Sequence, residues 1–208
     1  INSDVYGGSG KTAKDNSVII SESPFNGNVD VRGGRSPFTA KDNSVIISGG
    51  TINGPVFGGW GWGYADVEGN SVIISGGTIT GDVFGGWAEA NSGTANKVIL
   101  VGKDATYKFT DTQGTGHTLT GSGNIEITGT VYGGYGTSNR SGNQLHVYGS
   151  GTTVGGIANF ENLNFYINEN MTSDKAMLKI TGEGVTDISK SKVLVTFDGA
   201  PPAKDDLK

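Results

Sequence analysis

The chain has 208 residues, a formal net charge of −5, no cysteine and 37 glycines. Without cysteine it has neither a disulfide framework nor thiol chemistry. Its negative charge, with no basic cluster, disfavours nucleic acid or an anionic membrane as a partner. Its apolar runs are too short to cross a bilayer as a helix.

The first segment that suggests a chemistry is GGSGKT at 7–12, which is similar to the end of a phosphate-binding loop. That motif needs a glycine five residues before Gly10, where this chain has Val5. The following residues, AKDNSVIIS, favour a strand and not the helix that such a loop opens. They recur at 40–48, after a segment that lacks the lysine. We therefore predict that Lys11 is an exposed corner residue and that the chain binds no nucleotide.

A repeat organises most of the chain. An asparagine opens a strand-like segment at five positions, and the first four are 27, 27 and 26 residues apart: Asn16, Asn43, Asn70, Asn96 and Asn143. A second marker, V-x-G-G, begins at Val5, Val31, Val56, Val83 and Val131. Between the two markers lie segments such as GGTITGDVF at 76–84. Each unit therefore contains three short strands separated by glycine turns.

A unit of this size cannot bury its apolar face alone, so neighbouring units must stack. The pattern predicts an all-β protein, a parallel β-helix (solenoid) with three short strands per 26–27-residue coil. At about 4.8 Å per coil, at most about eight coils would give a rod roughly 40 Å long.

The alternation within NSVIIS assigns the two faces of its strand. It predicts that Val45, Ile47, Val72 and Ile74 are buried. It also predicts an outward-facing row of Ile19, Ile46, Ile73 and Ile99, which is either a mildly apolar sheet, a sheet covered by a loop, or a contact surface. Ile73→Thr should then be much milder than Ile74→Thr. The five asparagines are expected to be structural, hydrogen-bonding to one another along the rod.

The repeat is regular over 1–101 and is interrupted between Asn96 and Asn143. We interpret 102–158 as divergent coils that continue the solenoid, with Ile125 and Ile127 pointing inward. Glycine becomes rarer from about 159, and 159–198 is predicted to form atypical C-terminal coils or a hairpin cap. Residues 199–208 are predicted to be a linker or tail.

The repeat resembles the passenger repeats of bacterial type V autotransporters, G-G-T-I-x-G-D-V-[FY]-G-G-[WY] followed by N-x-V-x-I-S-G-G. Residues 76–87 with 96–101, 49–60 with 70–77, and in part 129–135 carry it. Residues 159–195 are similar to the passenger segment that precedes the membrane barrel. The resemblance implies a right-handed β-helix on the bacterial surface, outer membrane-anchored or secreted, usually an adhesin. A barrel would be expected downstream.

Catalytic and metal sites are not indicated by the sequence. Asp4, Asp30 and Asp82 precede V-x-G-G, but the equivalent residue of the middle copy is Pro55, so we assign them to turns. His117 and His146 are too few and too far apart in sequence to indicate a metal site. We expect a non-catalytic protein without a cofactor.

Aromatic residues collect at and just after V-x-G-G and form the candidate ligand site. The residue after each Val is expected to face outward: Tyr6, Arg32, Phe57, Phe84 and Tyr132. Arg32 in this series indicates an outer face, because a buried, unpaired arginine is costly. Beyond the glycines lie Trp60, Trp62, Tyr64, Trp87 and Tyr135. They either rigidify the corner or form a patch for a protein or glycan partner.

The loop after G-G varies in length, and its longest copy, 60–69, holds two of the three tryptophans. We expect this loop to lie outside the stacked core, so that a Trp60, Trp62 and Tyr64 triple alanine variant stays folded but loses adhesion. The sequence thus favours adhesion to a host or bacterial surface, with self-association as a further possibility. A stalk or autochaperone segment without a ligand site and a polysaccharide-degrading β-helix enzyme stay open as alternatives.

Overall fold

The computed structural model describes residues 3–21, 24–137 and 139–198. Within these ranges the protein is all-β without a helix, and its parallel strands stack as a β-solenoid of about seven turns. Equivalent strands are 26–27 residues apart in the regular part; Ser44, for example, lies beside Ser71. The predicted fold class is confirmed. None of the described residues belongs to a helix long and apolar enough to cross a membrane.

The strands are numbered in chain order. They are β1 (Val5–Ser9), β2 (Thr12–Lys14), β3 (Ser17–Ile20), β4 (Pro24–Asn28), β5 (Val31–Ser36), β6 (Thr39–Lys41), β7 (Ser44–Ile47), β8 (Thr51–Asn53), β9 (Val56–Gly61), β10 (Asp66–Glu68), β11 (Ser71–Ile74), β12 (Gly77–Ile79), β13 (Val83–Ala88), β14 (Gly93–Thr94), β15 (Lys97–Val101), β16 (Thr106–Thr110), β17 (Gly116–Thr120), β18 (Ile125–Tyr135), β19 (Gln144–Tyr148), β20 (Thr152–Ala158), β21 (Asn162–Asn168), β22 (Leu178–Ile180) and β23 (Lys192–Asp198).

Three parallel sheets form the walls of the solenoid. The asparagine sheet has the order β23-β21-β19-β15-β11-β7-β3, and each of its strands from β3 to β19 directly follows one of the repeat asparagines. The glycine sheet carries the V-x-G-G strands β1, β5, β9 and β13 and a second arm, β4, β8 and β12, which join at the long strand β18. The corner sheet is β14-β10-β6-β2. The inner faces of the asparagine sheet and the glycine sheet enclose one apolar core that includes Val45, Ile47, Val72 and Ile74, all predicted to be buried.

The corner sheet adds a fourth strand to the coil. Its strands lie in the segments after G-G, so the prediction that these segments are loops outside the core is wrong. Ala40, Ala65, Val67 and Ala88 are buried in a small cluster of their own at this corner. Because each corner strand has only two or three residues and buries a single residue, its alternation is too short to recognise. Lys11 lies just before β2 and is exposed, as predicted.

The glycine pair and the asparagine of each coil fit together. A Cβ on the first glycine would meet the next coil's backbone: at Gly58 it would lie 2.4 Å from the carbonyl oxygen of Gly85. A Cβ on the second glycine would meet the asparagine side chain: at Gly59 it would lie 2.5 Å from the amide of Asn70. The spacing between V-x-G-G and the asparagine is therefore a packing requirement.

The asparagine ladder (Asn16, Asn43, Asn70, Asn96 and Asn143) is continuous through the solenoid. Each side-chain oxygen from Asn43 onward accepts from the side-chain nitrogen of the preceding asparagine, at 2.7, 2.9, 3.1 and 3.3 Å in chain order. Each also accepts from that residue's backbone N–H at 2.8–3.1 Å. The residue before each asparagine has φ between 54° and 68°. The four members after Asn16 are almost fully buried, so their polar groups depend on one another.

Residues 106–120 differ from the prediction of a coil. β16 and β17 pair with each other in an antiparallel hairpin, separate from the three parallel sheets. The hairpin packs Tyr107, Phe109 and Leu119 against the outward side of the asparagine sheet. From Ile125 on, the chain rejoins the parallel sheets, with Ile125 and Ile127 buried.

Of the three interpretations of the outward-facing isoleucine row, the structure supports a sheet that is covered, because the hairpin lies over it. Ile46, Ile73 and Ile99 are each 3% exposed because it covers them, whereas Ile19 on the first rung is 61% exposed. The expectation that Ile73→Thr is much milder than Ile74→Thr is therefore wrong for this fold, since both side chains are buried.

We expect Ile73→Thr to lower the free energy of unfolding by about 2–3 kcal/mol, because it removes buried methyl groups and places a hydroxyl under the hairpin. Ile19 is at the equivalent position on an exposed rung, so Ile19→Thr should change the free energy of unfolding by less than about 0.5 kcal/mol. Urea denaturation of the two variants measures the difference. Equal losses would show that the hairpin does not cover the sheet in solution.

The last coils continue the parallel sheets. β21 pairs with β19, and β23 pairs with β21 over seven residues from Lys192 to Asp198. β22 pairs with β20 in the glycine sheet. The sequence predicted either atypical coils or a hairpin cap for 159–198, and these strands form coils. The predicted linker at 199–208 lies outside the described residues.

Candidate functional site

The outward side of the V-x-G-G strands carries two adjacent rows of side chains. In each strand the Val points into the core, so the next residue points outward. Strand register aligns the first row as Tyr6, Arg32, Phe57, Phe84 and Tyr132, and the second as Arg35, Trp60, Trp87 and Tyr135. We call these two rows, together with Trp62, the aromatic face. The structure thus brings together the predicted site residues except Tyr64.

The rings of each row stack along the solenoid. In the first row the ring centroids of Phe57 and Phe84 are 5.0 Å apart, and those of Phe84 and Tyr132 are 4.9 Å apart, with interplanar angles of 6° and 5°. In the second row Trp60 and Trp87 are 5.3 Å apart and nearly parallel, and Trp87 and Tyr135 are 5.9 Å apart. Parallel, in-register strands impose this spacing, and stacked aromatic pairs contribute about 0.5–1.5 kcal/mol each beyond their buried area.

The two rows differ in exposure. Phe57 and Phe84 are 6% and 7% exposed. In the second row Trp60 and Trp87 are half-buried and Tyr135 is exposed. At the centre of the face, ring surface is therefore offered to a partner by the second row, while the accessible rings of the first row are at its two ends, Tyr6 and Tyr132. Tyr64 is 84% exposed and lies beyond this stack, on the loop before β10.

Two arginines extend the rows toward the N-terminal end of the solenoid. Arg32 is nearly buried, which corrects the inference that it is exposed, but it is not unpaired: it donates to Asp4 at 3.1 Å and to Asp30. Its guanidinium also lies 5.1 Å from the ring centroid of Trp60. The guanidinium of Arg35 lies over Trp60 and Trp62, at 5.3 and 4.9 Å. The face is therefore a continuous arrangement of rings and guanidinium groups held by cation–π contacts.

The carboxylates beside the face are occupied by structural contacts. Asp4 accepts from the backbone N–H of Asp30 at 3.1 Å, and this bond, followed by those from Tyr6 and Arg32, holds the pKa of Asp4 below its usual value. Burial and the bond to Asp4 raise the pKa of Tyr6. Asp82 accepts from the backbone N–H of Thr130 at 2.7 Å. Asp4 and Asp82 therefore each cap the backbone of the following coil.

A second aromatic surface was missed by sequence reasoning. Beside the hairpin, a groove of about 580 Å³ is lined by Tyr107, Tyr148, Tyr166 and Phe197 among others. Tyr148 and Tyr166 stack at 4.2 Å. The sequence does indicate the hairpin, because aromatic and polar residues alternate on both sides of the turn DTQGTG at 111–116. The contact with the asparagine sheet joins distant parts of the chain, so local patterns do not reveal it.

His146 lies in this second cluster, with ring nitrogens 3.0 Å from the Tyr166 hydroxyl and 3.0 Å from the side-chain oxygen of Gln144. Burial, and to a lesser degree Lys97, lowers its pKa from 6.5 to about 4. As the pH falls from about 6.5 toward 4, the unfolded chain binds a proton that the folded chain does not, so stability is lost.

We expect the melting temperature of the wild type to fall more steeply than that of His146→Gln between pH 7 and pH 4. His117→Gln is the matched control, because it removes the other histidine of the chain, which lies in the hairpin 2.8 Å from the Asp111 carboxylate. Thermal denaturation followed by circular dichroism at several pH values measures the slopes. Parallel curves for wild type and His146→Gln would contradict the lowered pKa.

Among the described residues no group of His, Asp and Glu is arranged to hold a metal ion. No family model matches the chain, and no curated protein or solved structure shows significant similarity to it. The functional conclusion therefore depends on the sequence repeat and on the geometry of the surface.

Proposed function

We propose that the chain is part of the passenger of a bacterial autotransporter and acts in adhesion, without catalysis, at the cell surface. Its partner is a protein or glycan on a host or bacterial cell. The repeat pattern favours this family, and a β-solenoid is the architecture that the resemblance implies. The observation that carries the proposal is the second row of the aromatic face.

That row presents half-buried rings in fixed positions. The indoles of Trp60 and Trp87 are held by each other, by Tyr135 and by Arg35, so a partner would immobilise few additional side-chain rotations. Tryptophan, tyrosine and arginine are also the residues that dominate binding energies at interfaces. Rings of this kind present an apolar surface with a polar edge, which suits protein side chains and the faces of sugar rings.

The two alternatives are less well supported. In a polysaccharide-degrading enzyme, acidic residues would have to protonate and attack the substrate, but Asp4 and Asp82 are engaged by backbone N–H groups, and Asp4 and Asp30 by Arg32. In a stalk, the stacked rings would only stiffen the rod. The half-buried second row favours adhesion over a stalk, because a purely structural stack gains nothing from leaving ring surface in water.

The proposal is tested with labelled protein on epithelial cells, bacterial cells and an immobilised glycan set. We expect Trp87→Arg to lower binding at least tenfold. Arginine already occupies this row at Arg35, where it stacks on a ring, so the replacement should preserve the fold. Tyr64→Ala, on the neighbouring loop, is the matched control and should bind like the wild type. Equal binding by all three proteins would favour the stalk.

A further inference from the structure

Two tyrosines of successive coils lie face to face on the outward side of the asparagine sheet. Tyr148 of β19 and Tyr166 of β21 are neighbours in the parallel register. Their ring centroids are 4.2 Å apart with an interplanar angle of 4°, the closest aromatic pair among the described residues. Val101 and Thr196 flank them in this row of the sheet, so each ring stacks on the other and on no further ring of the row.

The other contacts between tyrosine rings are looser in the part of the chain that the structure describes. Tyr107 lies 5.3 Å from Tyr148, but its ring is tilted by 46°. Tyr132 and Tyr135 are 6.2 Å apart and perpendicular. Parallel rings in van der Waals contact are therefore found at one tyrosine pair, and the looser pairs serve as internal comparisons for its chemistry.

A base is hydrogen-bonded to the hydroxyl of Tyr166. The Nδ1 atom of His146 lies 3.0 Å from this hydroxyl, and its Nε2 atom lies 3.0 Å from the side-chain oxygen of Gln144. That amide oxygen only accepts, so Nε2 carries the ring proton and Nδ1 is the acceptor. Burial lowers the pKa of His146 to about 4, so the ring is neutral at neutral pH. The Tyr166 hydroxyl therefore donates to His146.

This arrangement favours the loss of an electron together with a proton. Removing an electron from a phenol turns its hydroxyl into a strong acid, and a base that is already hydrogen-bonded to it takes the proton at once. The phenoxyl radical that results has unpaired electron density on the ring carbons ortho to the oxygen. Two such radicals in contact combine through these carbons, and the stack holds Tyr148 against Tyr166.

We propose that Tyr148 and Tyr166 are a site of oxidative cross-linking, at which a haem peroxidase with hydrogen peroxide joins the two rings by a carbon–carbon bond. Each ring loses one electron to the peroxidase and its hydroxyl proton, which passes to His146 from Tyr166 and to water from Tyr148. The two ortho carbons bond, and each ortho hydrogen moves as a proton to the oxygen of its own ring. Both phenols are restored, His146 returns its proton to water, and one peroxide is reduced to two water molecules.

The cross-link connects two neighbouring coils covalently. Both rings are half-buried and line the groove beside the hairpin, which gives them room to tilt as the bond forms. The bond closes a loop between β19 and β21, and a closed loop lowers the conformational entropy of the unfolded chain. The folded protein therefore melts at a higher temperature after oxidation. The proposal is independent of the aromatic face.

Oxidation of the dilute, purified protein with a haem peroxidase and an equimolar amount of hydrogen peroxide tests the proposal. We expect dityrosine fluorescence and a single chain that has lost two hydrogen atoms. A protease that cleaves after glutamate cuts the denatured chain at Glu161, between the two tyrosines, so the oxidised protein should yield their two peptides joined. Tyr148→Phe and Tyr166→Phe keep the rings and should abolish this product. Tyr107→Phe is the matched control and should react like the wild type.

Two further measurements test the base and the effect on stability, in variants that first show the wild-type circular dichroism spectrum. His146→Gln removes the base and should slow cross-linking at least fivefold at neutral pH, whereas His117→Gln should not. Oxidation should raise the melting temperature of the wild type but not that of Tyr166→Phe. Absence of the product, a product on Tyr107, cross-links only between chains, an unchanged rate in His146→Gln or an unchanged melting temperature would each overturn the proposal.

Discussion

Asn70→Ala is expected to lower the free energy of unfolding by about 3 kcal/mol, a large loss for one small polar side chain. Its side-chain oxygen accepts from the backbone and the side chain of Asn43, at 3.0 and 2.9 Å. Its side-chain nitrogen donates to the carbonyl oxygen of Ala40 at 2.9 Å and to Asn96. Asn70 is fully buried, so no water replaces these partners. Removing it leaves the backbone N–H of Asn43 without its acceptor and takes one of two donors from the side-chain oxygen of Asn96.

Asn16→Ala is the control, because Asn16 begins the ladder and is only half-buried. It donates to Asn43 at 2.7 Å. We expect a loss of about 1 kcal/mol, since water can reach this rung. Urea denaturation monitored by circular dichroism gives both values. Equal losses at the two positions would mean that burial of the ladder contributes nothing.

The repeat made the solenoid predictable, because each coil must satisfy the same contacts as its neighbours. The asparagines, the glycine pair and the inward Val and Ile residues recur at fixed spacing, and the structure explains that spacing by packing. A corner strand such as β6 is not visible in the sequence pattern, because Ala40 is its single buried residue. Where every coil has the same requirement the pattern is visible, and where a contact is unique to one coil it is not.

The candidate site illustrates the same limit. Register alone placed Phe57 beside Phe84 and Trp60 beside Trp87, so the rows were predictable. The burial of Arg32 was not predictable, because it depends on Asp4 and Asp30, which come from two successive coils. The hairpin over Ile73 was not predicted either, because it folds back across rungs distant in sequence. Exposure depends on what covers a side chain, and the covering segment here does not repeat.

Gly59→Ala is the second variant with a large expected effect. The added Cβ would lie 2.5 Å from the side-chain carbon and nitrogen of the Asn70 amide, and that amide is held by hydrogen bonds to both neighbouring coils. The ladder cannot move aside at one rung without breaking those bonds. We expect a loss of about 3 kcal/mol, at the upper end of the usual cost of overpacking. Gly116→Ala, in the hairpin, meets nothing within 4 Å and should be neutral or slightly stabilising.

A double-mutant cycle shows whether the asparagine is the cause. In Gly59→Ala with Asn70→Ala, the atoms that clash with the new methyl group are gone, so its cost should largely disappear. The double variant should then lose at least about 1 kcal/mol less than the sum of the two single losses. Urea denaturation of the four proteins gives the coupling. Additive losses would mean that the second glycine of V-x-G-G is required by the backbone alone, and that the fixed spacing between the glycine pair and the asparagine has another origin.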